Sequence, residues 1–188
     1  LAINLAVIEG ARRAGIGTLI NFGSSCMYPV NYRQPLIEED ILASPLEPTN
    51  EGYALAKIAA ARHCAYIARE TGAAFRTIIP CNLYGPGDHF SLTRGHLVAS
   101  AIRKTHDAKL AKASHVEIWG DGTARREFLY VDDLAGWVLQ QALQRARDLP
   151  QDLNVGFGDD FSVTDYYRMA AKVVGYEGDF QYAPSRPT

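Results

Sequence analysis

Short apolar runs of strand length alternate along this chain with longer segments whose apolar residues recur at helical spacing. The strand-length runs are TLINFG (18–23), FRTIIP (75–80), HVEIW (115–119), EFLYV (127–131) and LNVG (153–156). Most are apolar almost throughout rather than at every second residue, as befits strands covered on both faces. Helical periodicity runs through 1–14, 50–70, 95–110, 132–147 and 163–174. Gly15 and Gly72 stand where the first two helices should stop, and Ser162-x-x-Asp165 forms a capping pattern before the last. Strand–helix alternation of this kind builds a doubly wound parallel α/β sheet. The stretch 24–49, with four prolines and no sustained period, reads as a long loop, as does 81–93. The more irregular segments 86–126 and 159–188 are expected to form a smaller lobe, leaving 1–85 and 127–158 as the sheet domain.

Composition excludes several classes of protein. Nineteen basic against 21 acidic residues give a net charge of −2, unlike a nucleic-acid binder or a polybasic membrane anchor. No apolar run reaches the length of a membrane span, and Glu9, Arg12 and Arg13 interrupt the N-terminal segment, so it does not read as a signal peptide. Cys26, Cys64 and Cys81 are odd in number and wrongly spaced for a disulfide framework or a zinc site. No metal is expected, and a reducing cytoplasm is the default compartment. The chain opens at Leu1 inside a helical pattern and ends at Thr188 without a closing element, so it reads as part of a longer polypeptide.

Chemistry concentrates where strands end. Tyr53 and Lys57, four apart, share one face of the 50–70 helix. An ammonium one turn from a phenol favours the phenolate, which suits the phenol to proton donation. The same spacing also arises on helices without function. After the 18–23 strand comes Gly23-Ser24-Ser25-Cys26-Met27-Tyr28-Pro29, and after the 75–80 strand Cys81-Asn82-Leu83-Tyr84-Gly85. Doubly wound sheets bind ligands beyond the carboxyl ends of their strands. A serine there can hold a substrate oxygen, although Ser24 and Ser25 also fit a plain turn, and Cys26 a packed thiol. Arg125 and Arg126 follow a glycine turn and suit either a phosphate clamp or solvated charge. His96 stands near a helix start, where it can be structural. His63, His89, His106 and His115 read as surface residues.

Together, GSSCMYP (23–29), LEPTNEGYALAK (46–57), PCNLYGPGDHF (80–90), Gly95-His96, WGDGTARREFLYVDD (119–133) and LNVGFG with the helix after it resemble the extended short-chain dehydrogenase/reductases of the NAD-dependent epimerase/dehydratase type. Within these the chain is most similar to the GDP-L-fucose synthase family. The resemblance implies 3,5-epimerisation and 4-reduction of GDP-4-keto-6-deoxy-mannose with NADPH, giving GDP-L-fucose, by a cytoplasmic homodimer. It implies that Ser24 and Tyr53 engage the ketone and supply its proton, with Lys57 beside the nicotinamide ribose. Cys26 and His96 would move protons at C3 and C5. Gly23, Ser25, Lys57, Pro80, Cys81, Asn82, Leu83 and His96 would line the cofactor, and Lys104, Trp119 and Arg126 the GDP-sugar. Three departures stand out: Gly52 where the family often has proline, Lys104 where it often has arginine, and Thr188 where it has a substrate-binding aspartate. No G-x-x-G-x-x-G follows a first strand, so the residues that choose NADP over NAD are outside this sequence. An NAD-dependent sugar-nucleotide 4-epimerase or dehydratase, or a non-catalytic sugar-nucleotide binder, also remains open.

Overall fold

The computed structural model describes residues 1–91 and 95–186. In chain order the elements are α1 (Ala2–Arg13), β1 (Thr18–Phe22), α2 (Glu51–Thr71), β2 (Ala74–Pro80), β3 (Asn82–Tyr84), α3 (Leu97–Ala111), β4 (His115–Trp119), β5 (Arg125–Arg126), β6 (Phe128–Tyr130), α4 (Val131–Trp137), β7 (Asp152–Val155), β8 (Phe161–Ser162), α5 (Val163–Val174) and β9 (Asp179–Ala183). They divide into two compact units, Leu1–Cys81 with Val131–Gly156, and Asn82–Tyr130 with the segment from Phe157 onward.

The first unit is an α/β layer. Its three-stranded sheet has the order β1-β2-β7, parallel throughout, with Phe22 opposite Ile78 and Pro80 opposite Val155. The strands of this sheet therefore finish on one edge. Phe75, Thr77 and Ile78 of β2 are wholly buried, and within the strand only Arg76 is partly exposed. Phe75 packs with Ile8 of α1 and with Ala60, Cys64 and Ile67 of α2. The α2 helix ends at Gly72, whose φ of 72° is the left-handed conformation glycine takes without steric cost. His63 is not a plain surface side chain, since its Nε2 lies 2.8 Å from Glu9 Oε1. The expected helix 132–147 is shorter than its periodicity suggests. After Trp137 the backbone changes to one π turn, Val138–Ala142, closed by Leu143 N–H on the Val138 carbonyl at 3.1 Å. Gly136, a poor helix former, precedes that change of pitch.

In the second unit, β3 pairs with β6 and β4 with β9, both parallel, while β5 and β8 are antiparallel. Helices α3 and α5 supply its core through Ala101, Val163, Tyr167, Ala170 and Ala171, packed on Val116 and Ile118 of β4. Ser162 and Asp165 form the expected reciprocal cap on α5: the Asp165 N–H donates to Ser162 Oγ and the Ser162 N–H to Asp165 Oδ2, each at 3.1 Å. Four strands depart from the sequence reading, the two-residue β5 and β8 among them. Residues 82–84, expected as loop, form β3, and the tail contains β9. Pairing of β3 with β6 also groups 82–84 and 128–130 with this second unit rather than with the sheet domain. Thr188 lies outside the described residues.

Candidate active site

The carboxyl edge of the first unit's sheet is built from very small clearances. Gly23 N–H donates to the Ile78 carbonyl at 2.7 Å, which draws the chain leaving β1 against β2. A Cβ on Gly23 would stand 2.9 Å from Met27 Sδ and 3.2 Å from both the Ile78 oxygen and Ile79 Cγ1. Glycine is therefore fixed there by space. The next residues fold into one 3₁₀ turn, Ser25–Met27, capped by Ser24, whose Oγ accepts the Cys26 N–H at 3.3 Å. That bond uses a lone pair of the hydroxyl and leaves its hydrogen available for donation. Cys26 is a free, half-buried cysteine packed beside a core of Met27, Tyr28, Ile41 and Ile58. The buried Tyr28 donates its hydroxyl to Asn154 Oδ1 of β7 at 2.6 Å, pinning the turn to the sheet. Burial raises the Tyr28 pKa well above that of a free phenol.

Lys57 reaches from α2 to the same edge. Its ammonium donates to the Phe22 carbonyl at 2.8 Å, on the last residue of β1, and lies 5.7 Å from the centre of the Tyr53 ring. Ala54 and Ile58, buried at 1% and 4%, hold the intervening face of α2 against the core, so Tyr53 is left 51% exposed at the rim. Pro80 is buried at the end of β2, and the Cys81 N–H donates to the Val155 carbonyl at 3.0 Å. Ser24, Cys26, Tyr53, Lys57, Pro80 and Cys81 thus belong to one unit, on or beside the strand ends. Cys64 is different: it is fully buried between helices and burial pushes its thiol up to about 12.

The remaining expected residues lie in the second unit. Asn82 Nδ2 donates to the Glu127 carbonyl at 3.0 Å, and Leu83 pairs with Leu129. His96 caps α3 with a side chain 76% exposed, its Nδ1 3.6 Å from Asp88 Oδ1. Lys104 donates to the Glu117 carbonyl at 3.0 Å and sits 4.7 Å from the Trp119 ring centre. Burial, with help from the nearby Arg186, lowers the Lys104 pKa, against a smaller opposing pull from Glu117. The Trp119 Nε1–H donates to Glu117 Oε1 at 3.1 Å, and the Arg186 guanidinium lies 5.3 Å from the same indole. Both arginines of the pair are exposed: Arg125 is held by Asp160 at 2.6 Å, and Arg126 Nη1 donates to the Arg125 carbonyl at 2.8 Å. Sequence reasoning missed Asp88, Glu117 and Arg186. Each is one charge among many in loops or on exposed positions, and no spacing sets it apart. No helix among the described residues is long and apolar enough to cross a membrane, and no cluster of His, Cys, Asp and Glu there could hold a metal.

A parallel sheet with a Tyr/Lys helix face at its carboxyl edge defines the class, and residues 1–156 match the family model described as NAD dependent epimerase/dehydratase family. The chain belongs to that family. It is 46% identical over 188 residues to the GDP-L-colitose synthase of Yersinia pseudotuberculosis, covering 100% of this chain and 60% of that protein. It is also 46% identical over 186 residues to the GDP-L-fucose synthase of Azorhizobium caulinodans, covering 99% of this chain and 59% of that protein. The chain therefore spans about three fifths of the length of these curated relatives. Among solved structures it is similar to the GDP-mannoheptose C4 reductase of Campylobacter jejuni with NADP bound. That likeness has a TM-score of 0.88 at 30% identity, and covers 96% of this chain and 64% of the other.

Proposed function

We propose that this chain is the part of an NADPH-dependent GDP-sugar epimerase-reductase that carries its proton donors and its sugar-nucleotide contacts. The reaction is 3,5-epimerisation and 4-reduction of GDP-4-keto-6-deoxy-mannose to GDP-L-fucose. The observation that carries it is the Lys57 ammonium tied to the Phe22 carbonyl with Tyr53 beside it, next to a turn whose Ser24 hydroxyl keeps a donor hydrogen. The residues present fit a nicotinamide cofactor. Gly23 has no room for a side chain. Lys57 has spent one N–H on Phe22 and keeps two for ribose hydroxyls. Gly23, Ser25, Lys57, Pro80 and Cys81 of the first unit would hold the cofactor. When bound, NADPH supplies the hydride that reduces C4.

The protein's own groups then have separate tasks. Ser24 donates a hydrogen bond to the C4 ketone oxygen, withdrawing charge from it and acidifying the protons on C3 and C5. Cys26 and His96 serve as the base and acid that remove and return those protons. Tyr53 gives its proton to the oxygen at C4 as that carbon is reduced. Lys104 and Arg126 place positive charge for the diphosphate, and Trp119 an aromatic face for the nucleotide. Two relatives of equal identity bear the names of different GDP-sugar products, which supports a GDP-linked substrate. An NAD-dependent 4-epimerase or dehydratase has no need of the Cys26/His96 pair, and a non-catalytic binder has none of the Tyr53/Lys57 pair. The working unit is a cytoplasmic homodimer: α1 leaves Ile3 79% and Val7 60% exposed, and α2 leaves Leu55 47% and Tyr66 56% exposed.

The test is Tyr53→Phe in the full-length enzyme, which keeps shape and removes the proton donor. A positioned general acid contributes roughly 10²–10⁴-fold. Turnover of GDP-4-keto-6-deoxy-mannose, followed by NADPH oxidation and chromatography of the product, should fall at least about 100-fold with NADPH binding unchanged. Turnover near that of the parent would overturn the assignment.

A further inference from the structure

We infer that Asp88 is the positioning residue for His96: its carboxylate takes the Nδ1–H of that imidazole and so leaves Nε2 as the nitrogen that exchanges protons with substrate. This rests on the reading of His96 as a proton carrier. The geometry within the second unit supports it in three ways. First, Asp88 is mostly buried, its side chain only 15% exposed, whereas His96 is 76% exposed. An ionised group is drawn out of water only where other groups satisfy it. Second, the carboxylate is half satisfied. Oδ1 accepts the His89 N–H at 2.6 Å, while Oδ2 is buried and has no hydrogen-bond partner among the described residues. A buried acceptor without a donor calls for one nearby. Third, a donor of the right kind faces the same carboxylate: His96 Nδ1 lies 3.6 Å from Oδ1, the oxygen that also accepts the His89 N–H and keeps a second lone pair. That is just beyond bonding distance, and the χ2 torsion of histidine is broad, so a modest turn of the ring brings Nδ1 to the carboxylate. Such bonds are often long without substrate and tighten when it binds.

The backbone favours the same pairing. His96 is the N-cap of α3, with φ −65° and ψ 165°, so its main chain is set by the helix start. Ser100 N–H donates to the His96 carbonyl at 2.8 Å and fixes it further. Gly95 is equally constrained, since a Cβ there would come within 2.6 Å of the Ser91 oxygen and 2.7 Å of the His89 oxygen. The histidine is thus anchored at its backbone and free at its ring, and a carboxylate beside Nδ1 supplies the missing restraint. A neutral imidazole has one donor and one acceptor nitrogen, and a partner on Nδ1 decides which is which. Without that restraint both tautomers and several ring angles compete, and only a fraction presents a basic Nε2.

The test uses the full-length enzyme with GDP-4-keto-6-deoxy-mannose in heavy water and no NADPH. Deuterium entry at C3 and C5 is read by mass spectrometry and NMR. His96→Asn sets the scale of the loss. Asp88→Asn, which places an amide N–H where the acceptor was, should slow exchange at the carbon served by His96 by about tenfold or more. The double variant should be no worse than His96→Asn, because the two residues act as one unit. GDP affinity and melting temperature should match the parent. Asp88→Ser provides a second removal of the carboxylate if the amide does not fold. Independently of turnover, ¹⁵N NMR of labelled histidine should show His96 protonated at Nδ1 in the parent and shifted toward the Nε2–H form in Asp88→Asn. If His96→Asn abolishes exchange while Asp88→Asn and Asp88→Ser keep the parent rate and tautomer, the role given to Asp88 is wrong. If His96→Asn itself exchanges like the parent, the reading of His96 fails and the inference falls with it.

Discussion

Gly23→Ala is the smallest change that should disturb the site, and its cost can be worked from the distances. The added methyl carbon would meet Met27 Sδ at 2.9 Å, Ile79 Cγ1 at 3.2 Å and the Ile78 oxygen at 3.2 Å. Met27 is 0% exposed and Ile79 2%, so neither side chain has open space to move into. The Ile78 oxygen is backbone inside a parallel ladder and already accepts the Gly23 N–H at 2.7 Å. The remaining response is for residues 23–27 to lift from the sheet. Overpacking of this kind costs about 1–3 kcal/mol. For a domain of this size each kcal/mol lowers the melting temperature by roughly 2–4 °C, so a fall of about 2–12 °C is expected. Function should suffer more than stability. The lifted turn carries Ser24 and Cys26, and a misplacement of about 1 Å at a reacting group can cost 10²-fold. Calorimetric melting and NADPH-coupled turnover of the full-length Gly23→Ala variant check both. A variant that melts and turns over like the parent would show that the turn tolerates a side chain, and that tight packing under Ser24 does not set its position.

Asp40 gives a pH dependence whose sign follows from its surroundings. Burial alone would raise its pKa, but the Ile37 N–H at 2.9 Å and the Arg33 guanidinium at 2.7 Å outweigh burial and hold it below the usual carboxylate range. Its contribution is complete above the unfolded value of about 3.9 and is lost as pH falls through the lower folded value. Denaturant melts should therefore show the stability gap between parent and Asp40→Asn constant above about pH 5 and shrinking in the acid below pH 4. If the proposed homodimer forms, light scattering at micromolar concentration should give twice the monomer mass, and Val7→Glu on the exposed face of α1 should shift it toward monomer. A parent that scatters only as monomer rejects the assembly.

What the sequence disclosed depended on how local each cause was. Tyr53 and Lys57 were legible because a helix alone puts residues four apart on one face, and the capping pattern at Ser162 was legible for the same reason. Gly72 could be read as a helix end because a left-handed residue is needed there. β3 could not: Asn82-Leu83-Tyr84 is too short to show a period, lies between Pro80 and Pro86, and exists because β6 pairs with it from 46 positions away, with the Asn82–Glu127 bond alongside. β9 depends in the same way on β4. The π turn after Trp137 leaves the apolar pattern almost unchanged, so periodicity passes over it. Asp88 was hidden for another reason. Its burial and its unpartnered oxygen are properties of three-dimensional packing, and in sequence it is one polar residue in a glycine- and proline-rich loop.

The two family departures within the described residues act on different links of this chain of causes. Gly52 stands in the first turn of α2, and a Cβ there would meet nothing within 4 Å. Space does not require glycine, and proline would be tolerated in a first helical turn, where its missing N–H has no intrahelical partner. Glycine here weakens the helix start by up to about 1 kcal/mol relative to alanine. It leaves Tyr53 in place, because Ala54 and Ile58 bury the helix face and Lys57 ties it to Phe22. Lys104 is one of the residues proposed to meet the substrate. Its ammonium is fixed by the Glu117 carbonyl at 3.0 Å and by the Trp119 face, so its position is set as firmly as an arginine's would be. What changes is the form of the contact: a compact charge with two remaining donors replaces a planar fork that can grip two phosphate oxygens at once. Under the proposed function, the grip on the diphosphate at Lys104 is then mainly coulombic. On the same proposal the planar fork is that of Arg126, whose Nη1 also donates to the Arg125 carbonyl at 2.8 Å.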